Sequence, residues 1–387
     1  MEAISPDAQL VSIFGPPEYN NFNEPVPFSN QPRCLIGFTT AFLALSWIFV
    51  CFRLYVRLKV ARVPGLDDLF VALYLISTSV ASVVFMVTIK YGTGRHFLLL
   101  SVYEATQYLT LFYVLNVSLN FATSFIKFSL LFQFMRMFNK GTWEYRASVV
   151  GIVLVALWGI TFAILAIFPC ANIPDVWNIF ARDARCWAYG SQDPDIFIAT
   201  LISHNTINTF FDLYITLIPF QMWFKPGVTS RTRAGLMVLL LMGATVVTLS
   251  VWRVYETVYY KGGWYPTRDP TWYGPKSILL IILEVNVASI CASVPIFWPV
   301  LRPYLGAIFV THEFSVNYEE RESISSLRKG DAENSINSHY QDMYIMDLVD
   351  PLGPGSRAGS ARSATGREKE RTDTRDRSPA RGKDDRI

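Results

Sequence analysis

ASVVGIVLVALWGITFAILAIFP, residues 147–169, is a continuous apolar stretch without a single charged side chain. A helix needs about 20 apolar residues to cross the hydrocarbon core of a bilayer, so this stretch is long enough to span it. Six more stretches have comparable length and character, at 35–58, 67–89, 106–133, 196–223, 233–258 and 277–303. The sequence therefore predicts an all-α membrane protein built as a seven-transmembrane helix bundle.

The overall composition agrees with a membrane protein. Of the 387 residues, 51% are hydrophobic and 17% are charged, which is too apolar for an ordinary soluble protein of this size. The formal net charge is only +3, and the basic residues lie in short loops and in the C-terminal region. This distribution offers no basic surface to nucleic acid, so composition predicts the lipid bilayer as a partner and argues against nucleic acid.

The basic residues also predict the orientation of the chain. Lysine and arginine are denser in the loops after the first, third and fifth spans than in the loops on the other side. Cytosolic loops carry such an excess, so we expect the N-terminus outside the cytosol and the C-terminus inside it. The chain then divides into an exterior segment 1–34, a membrane domain 35–305 and a cytosolic tail 306–387.

The predicted tail is rich in serine, arginine and aspartate. Such a composition buries too little apolar surface to offset the entropy of ordering, so we expect the tail to be disordered. We further expect an integral, multi-pass protein, located in the plasma membrane.

Two cysteines lie close together in the predicted exterior loop after the fourth span. Cys170 and Cys186 are 16 positions apart, and an oxidising compartment allows a disulfide between them. The alternative is two free thiols near the membrane surface. Elsewhere no cysteine or histidine pair has the spacing of a zinc site, so no metal site is predicted.

Charged side chains within predicted spans are costly and are therefore candidates for ligand binding or switching. Arg253 in the sixth span and Glu284 in the seventh lie at similar depths below the exterior surface, which predicts an ion pair between them. That pair has either a functional or a purely structural role. Asp212 in the fifth span and Lys127 in the third form a second pair only if the lysine reaches upward.

The polar residues of the third and fifth spans are expected to face the interior of the bundle. They are Asn116, Asn120 and Lys127 in one span, and His204, Asn205, Asn208 and Asp212 in the other.

Two acidic residues stand at the start of the second span. Asp67 and Asp68 follow a Pro-Gly pair, where a carboxylate caps a helix and complements the positive end of its dipole. A different hypothesis is a cytosolic lock, in which one of them pairs with Lys127 or Arg136 and releases when the bundle opens. Both interpretations remain open at this stage.

A retinal pigment needs a lysine in the middle of its last span, because the Schiff base forms on that amine. Residues 277–304 contain no lysine. This argues against retinal unless a different lysine has taken over its role, and Lys127 lies near the cytosolic side. We expect no other cofactor.

The order of several motifs resembles the fungal rhodopsin-like family of integral membrane proteins. The resemblance covers about residues 35–305 and rests on GLDDLF (65–70), YGTGRH (91–96), KFSLLFQFMRMF (127–138), the paired cysteines around Asp175-Val176-Trp177, NTFFDLYITLIPF (208–220), Arg253 and ILEVNVASICASVPIFWPVLRP (282–303). The family has a seven-span fold. It includes receptors thought to sense surfaces in plant-pathogenic fungi and members encoded in secondary-metabolite clusters.

The chain departs from the family pattern at two points. Phe134 stands where the family usually has a tyrosine, just before Arg136. The predicted exterior segment has a single cysteine, Cys34, whereas one receptor-like branch carries an eight-cysteine exterior domain. Functions that depend on that domain are not implied here.

The leading functional hypothesis is a membrane sensor similar to G-protein-coupled receptors, without enzymatic activity. Its expected ligand is an unidentified small molecule or surface, and its expected partners are a G protein or a kinase at the cytosolic loops and tail. The alternative is an intramembrane enzyme resembling a terpene cyclase, with Asp212 or Glu284 as proton donor, or an accessory protein of a secondary-metabolite pathway. A transporter has little support, because no inverted repeat is evident.

Overall fold

The computed structural model describes residues 10–11, 19, 21–181, 184–224 and 230–308. Side chains are described at these positions except 224, 230–232, 234 and 296–308. The predicted disordered tail lies outside the described residues from residue 309 onward.

Within these residues the chain is helical, and seven of its helices are long. They are α1 (Pro32–Tyr55), α2 (Leu66–Thr88), α3 (Val102–Met137), α4 (Trp143–Ile167), α5 (Pro194–Phe220), α6 (Ser230–Tyr259) and α7 (Pro275–Ile308). A π-helical turn, Val56–Val60, extends α1. The predicted helix boundaries are therefore correct to within a few residues.

Local sequence signals determine where several helices begin. Ser101 caps α3 in a capping box with Glu104, whose carboxylate accepts a hydrogen bond from the Ser101 backbone at 2.9 Å. Thr142 caps α4, and Asp193 caps α5 just before Pro194 at its first position. Proline is favoured there because its missing N–H has no partner within the helix.

The seven helices form a bundle in which each one packs against its neighbours in sequence. The ring closes because α7 returns to pack against α1. α3 is the most central helix, since it contacts α2, α4, α5 and α7. We call the end that carries the Cys170–Cys186 disulfide the disulfide end, and the opposite end the Arg53 end.

The outer surface of the bundle is apolar. On α4 the side chains of Val150, Val153, Leu157, Ile160 and Ile164 are all more than half exposed and follow the period of one helix face. An apolar stripe of this length is the surface that lipid covers.

Six stretches of the described residues are long and apolar enough to cross a membrane: Pro32–Val60, Leu66–Tyr91, Val102–Met137, Trp143–Ile167, Gly235–Tyr259 and Pro270–Pro295. α5 is not among them, because its sequence carries His204, Asn205, Asn208 and Asp212. All four of these side chains are buried, as predicted, whereas Phe210, Leu213 and Leu217 on the same helix are exposed. The polar face of α5 thus points into the bundle.

Candidate functional site

A chain of buried polar contacts links α3, α5, α6 and α7; we call it the central network. Its members are Lys127, Asn205, Asn208, Asp212, Ser250, Arg253, Thr257 and Glu284. Two of them are cationic and two are anionic, so the network has no net charge, which limits the cost of burying it.

Arg253 and Glu284 form the predicted ion pair, and each is about 1% exposed. The Arg253 guanidinium donates through Nε to Glu284 at 3.1 Å, and Nη2 lies 3.1 Å from the same carboxylate oxygen. The guanidinium also donates through Nη1 to the side-chain oxygen of Asn205. Asn205 in turn donates to Thr257 at 2.9 Å, which extends the network toward the disulfide end.

Asn208 connects this pair with a second one. Its amide nitrogen lies 2.8 Å from Glu284 and 2.9 Å from Asp212. Asp212 contacts the Lys127 ammonium directly, so the pairing that required the lysine to reach upward does occur. A long, flexible lysine stem makes this reach feasible.

A small cavity of about 30 Å³ lies beside this second pair. Lys127, Asp212 and Glu284 line it together with apolar side chains such as Leu239 and Val285. A volume of this size accommodates about one or two water molecules and no larger ligand.

A second, much larger cavity of about 430 Å³ opens at the disulfide end. Its walls come from α3, α5, α6, the start of α7 and the loops between them, and Asn205 and Thr257 of the central network form part of its lining. Volumes of about 300–1,000 Å³ are typical of sites for single small molecules. We call it the ligand cavity.

The lining of the ligand cavity is partly aromatic. It includes Tyr108, Phe112, Tyr189, Phe197, Tyr260 and Trp264. The guanidinium carbon of Arg268, another lining residue, lies 4.2 Å from the centre of the Trp264 ring, a cation–π geometry. Burial lowers the pKa of Arg268 and raises the pKa of the Tyr189 hydroxyl, so the phenol is neutral at physiological pH.

The disulfide shapes one wall of this cavity. The predicted bond between Cys170 and Cys186 is present. Backbone hydrogen bonds flank it, from Ala171 to Arg185 and from Trp187 to Pro169, at 2.9 and 2.8 Å. The loop it closes contributes lining residues from Asp175 to Ala181, so the bond holds this wall in place.

A group of contacts around Asp269 ties the other loops at this end together. The Asp269 carboxylate lies 2.7 Å from Nδ1 of His96 and accepts from the Asn21 side chain at 3.0 Å and the Phe97 backbone at 2.8 Å. The His96 ring stacks on Trp272. The segment before α1, the α2–α3 loop and the α6–α7 loop are thereby joined.

At the Arg53 end, a second charged group connects α1, α2, α3 and α7; we call it the Arg53 cluster. Arg53 is fully buried and lies 2.6 Å from Asp67 and 3.3 Å from Asp68. It also donates to Gln133 at 2.8 Å and to the Ala292 carbonyl of α7.

Asp67 and Asp68 make contacts that fit both hypotheses, helix capping and a cytosolic lock. Asp68 accepts a hydrogen bond from the Gly65 backbone at 3.1 Å, which is the predicted capping contact. Asp67 lies 3.5 Å from Arg136, the contact proposed for a lock. Lys127 is not part of this group, because its ammonium is held by Asp212.

Two buried charged residues, Arg53 and Glu256, are among the site residues that were not predicted. Arg53 lies near the end of the first predicted span, where a basic residue resembles a loop residue, although α1 continues to Tyr55. Its position within the apolar stretch 35–58 was the signal that could have identified it. Glu256 of α6 is 5% exposed and lines the ligand cavity, and its place one turn beyond Arg253 was the available signal.

Residues 52–303 match the fungal rhodopsin domain. The chain belongs to the fungal rhodopsin family. This match includes both charged groups and the ligand cavity, and together with the apolar helices it makes the protein an integral, multi-pass membrane protein.

One curated relative of this fungal rhodopsin domain comes from Stachybotrys chartarum and is described as satratoxin biosynthesis SC1 cluster protein 4. It is 23% identical over 190 residues, which cover 47% of this chain and 61% of the relative. The chain thus matches about three fifths of that protein's length. No solved structure matches the chain.

Proposed function

We propose that this protein is a membrane sensor that binds a small molecule in the ligand cavity and transmits binding through the central network. In this proposal α5 crosses the membrane as the seventh span, the disulfide end faces the cell exterior, and the protein resides in the plasma membrane. α5 has 27 residues, which at 1.5 Å per residue gives about 40 Å, enough to cross a bilayer.

The single observation that carries the proposal is the contact between cavity and network. Asn205 and Thr257 line the cavity, and the Asn205 side chain also accepts a hydrogen bond from the Arg253 guanidinium. A ligand that displaces either side chain changes the contacts of a buried ion pair shared by α5, α6 and α7. A ligand shifts the bundle from one packing to another only if it binds the two packings with different affinity. The contacts of Arg253 and Glu284 would differ between the two packings, so a ligand that touches Asn205 or Thr257 would bind them unequally.

The Arg53 cluster would be the responding element at the cytosolic side. Arg53 contacts α7 through Ala292, so a movement of α7 alters the group that holds α1, α2 and α3 together. Its opening would expose basic side chains, including Arg57 and Arg136, to a G protein or a kinase. Such a partner is part of the proposal.

The proposal includes neither retinal nor another cofactor. α7 begins at Pro275, so it contains Lys276, one residue before the stretch considered in the sequence. This lysine lies in the first turn of the helix, at the disulfide end, and its ammonium is 2.6 Å from Glu256. The position differs from the mid-span lysine that a retinal pigment uses.

A second candidate function is an accessory protein of a secondary-metabolite pathway, and the name of the Stachybotrys relative favours it. The enzymatic form of this alternative has less support. Asp212 and Glu284, its proposed proton donors, line the cavity of about 30 Å³ and not the ligand cavity. Each is also engaged by a cation, Lys127 or Arg253.

The sensor proposal is tested by identifying small molecules that co-purify with the full-length protein from native membranes. Leu109→Trp fills the ligand cavity, because Leu109 lines it. Leu157→Trp makes the same change on the lipid-facing stripe and is the matched control. We expect a molecule that is retained by the wild type and by Leu157→Trp, and is lost from Leu109→Trp. Identical profiles for all three proteins would contradict the proposal.

Partner recovery separates a sensor from an accessory protein. The full-length protein and a version truncated after residue 308 are immunoprecipitated from native membranes, and their partners are identified by mass spectrometry. A sensor should recover G-protein subunits or kinases. Recovery of biosynthetic enzymes without any signalling protein would favour the second candidate.

A further inference from the structure

The wall of the ligand cavity contains a carboxylate with unused hydrogen-bonding capacity. Oε1 of Glu256 lies 2.9 Å from the indole nitrogen of Trp252 and 2.6 Å from the Lys276 ammonium. Oε2 is buried and has no hydrogen-bond partner among the described residues. A carboxylate accepts at both oxygens, and a buried acceptor without a donor is costly.

The surroundings of Glu256 indicate what kind of donor fits. Lys276 already offsets the charge of the carboxylate, so a second full positive charge is not needed there. Asp175 and Arg268 also line the cavity and carry opposite charges, so the charged groups around the cavity balance without a charged ligand. Eight aromatic side chains are among the lining residues, and their faces suit flat, apolar rings.

We propose that the ligand cavity takes a neutral, mainly aromatic or polycyclic molecule whose hydroxyl group donates a hydrogen bond to Glu256. The inference rests on the proposed ligand cavity and adds the chemical class of its occupant. A volume of about 430 Å³ accommodates one such molecule.

Three matched probes test this class on the full-length protein in lipid nanodiscs. They are 2-naphthol, 2-methoxynaphthalene, which lacks the donor, and naphthalen-2-ylmethylammonium, which is cationic. A hydrogen bond to a carboxylate favours the donor-bearing probe by about tenfold or more in Kd. We therefore expect 2-naphthol to bind about tenfold more tightly than 2-methoxynaphthalene, measured by ligand-observed NMR titration. The ammonium probe also has N–H donors, but Lys276 already offsets the Glu256 carboxylate and burying another full charge is costly, so we expect it to bind more weakly than 2-naphthol.

Two variants assign the preference to Glu256. In Glu256→Gln the amide oxygen can take the place of Oε1 beside Trp252 and Lys276. The amide nitrogen then replaces Oε2, so a donor stands where the carboxylate offered an acceptor. The preference for 2-naphthol should then disappear. Trp252→Phe removes one donor to Oε1 but keeps the carboxylate, and Trp252 is not part of the lining, so the preference should remain.

The possible failures are distinguishable. Equal binding of 2-naphthol and 2-methoxynaphthalene to the wild type overturns the role of Glu256 and leaves the ligand cavity intact. Tighter binding of the ammonium probe overturns the neutral class. Binding that Leu109→Trp leaves unchanged, or no binding of any probe, contradicts the cavity as a ligand site and the inference with it. The wild-type comparison stands even if Glu256→Gln does not fold.

Discussion

Arg53 shows how much a single buried charge can hold together. Its guanidinium contacts Asp67, Asp68, Gln133 and the Ala292 carbonyl, and therefore residues of three other helices. Removing one partner of a buried ion pair leaves the other charge uncompensated, which costs about 3–5 kcal/mol.

We expect Arg53→Met to lower the free energy of unfolding by about 3–5 kcal/mol, because two buried aspartates lose their principal partner. Lys59→Met is the control, since Lys59 is an exposed residue of the π-helical turn. Thermal unfolding of the detergent-purified proteins measures the difference. Equal stability of the two variants would show that the Arg53 cluster is energetically unimportant.

Lys127 and Asp212 allow a second test at the residue scale. If their contact is a specific pair, Lys127→Met and Asp212→Asn should each destabilise the protein, and the double variant should lose less than the sum. Coupling energies of about 0.5–3 kcal/mol are expected for residues in contact. Additive losses in a double-mutant cycle would argue against direct coupling.

Single residues also show what sequence reasoning could and could not establish. The contact between Arg253 and Glu284 followed from their matching depths, and the Cys170–Cys186 bond from their shared loop. Arg53 was missed because a basic residue near the end of a span resembles a loop residue. The partners of Asn205 and Asn208 depend on side-chain directions, which helical depth does not determine.

At the scale of elements, α4 and α5 have different roles. α4 presents an apolar stripe to the outside of the bundle, and α5 presents a polar face to its interior. Apolar length predicted all seven long helices with small boundary errors, because the bilayer requires such length. Hydropathy is weakest for α5, since the residues that form the central network reduce its apolar character. The helix hardest to assign by hydropathy is thus the one that carries most of the candidate site.

The α4 stripe predicts a strong effect of charge at its centre. Leu157 is 62% exposed and lies in the middle part of α4, so Leu157→Arg should reduce membrane insertion, at a cost of about 2.5–3.5 kcal/mol. Phe168→Arg, just beyond the helix, should have little effect, because the arginine can reach the interface. A glycosylation-based insertion assay measures both. Similar insertion of the two variants would contradict a lipid-facing stripe.

At the scale of the whole molecule, the central network and the Arg53 cluster lie toward opposite ends of the bundle. The ligand cavity adjoins the central network at the disulfide end, and the Arg53 cluster closes the other end. The cavity was not predicted, because the loops after α4 and α6 form much of its wall and loop conformation leaves no periodic signal in a sequence. The helices determine the bundle, whereas the disulfide and the contacts of Asp269 position the loops that complete the cavity wall.

The central claim is that a ligand reaches the central network from outside the cell through this cavity. Cysteine accessibility tests it directly. Ser277 lines the cavity, and Lys140 lies in the loop between α3 and α4 at the Arg53 end. In intact cells a membrane-impermeant thiol reagent should modify a Ser277→Cys variant and leave a Lys140→Cys variant unmodified until the cells are opened. The reverse pattern, or no reaction at position 277 under either condition, would contradict the account.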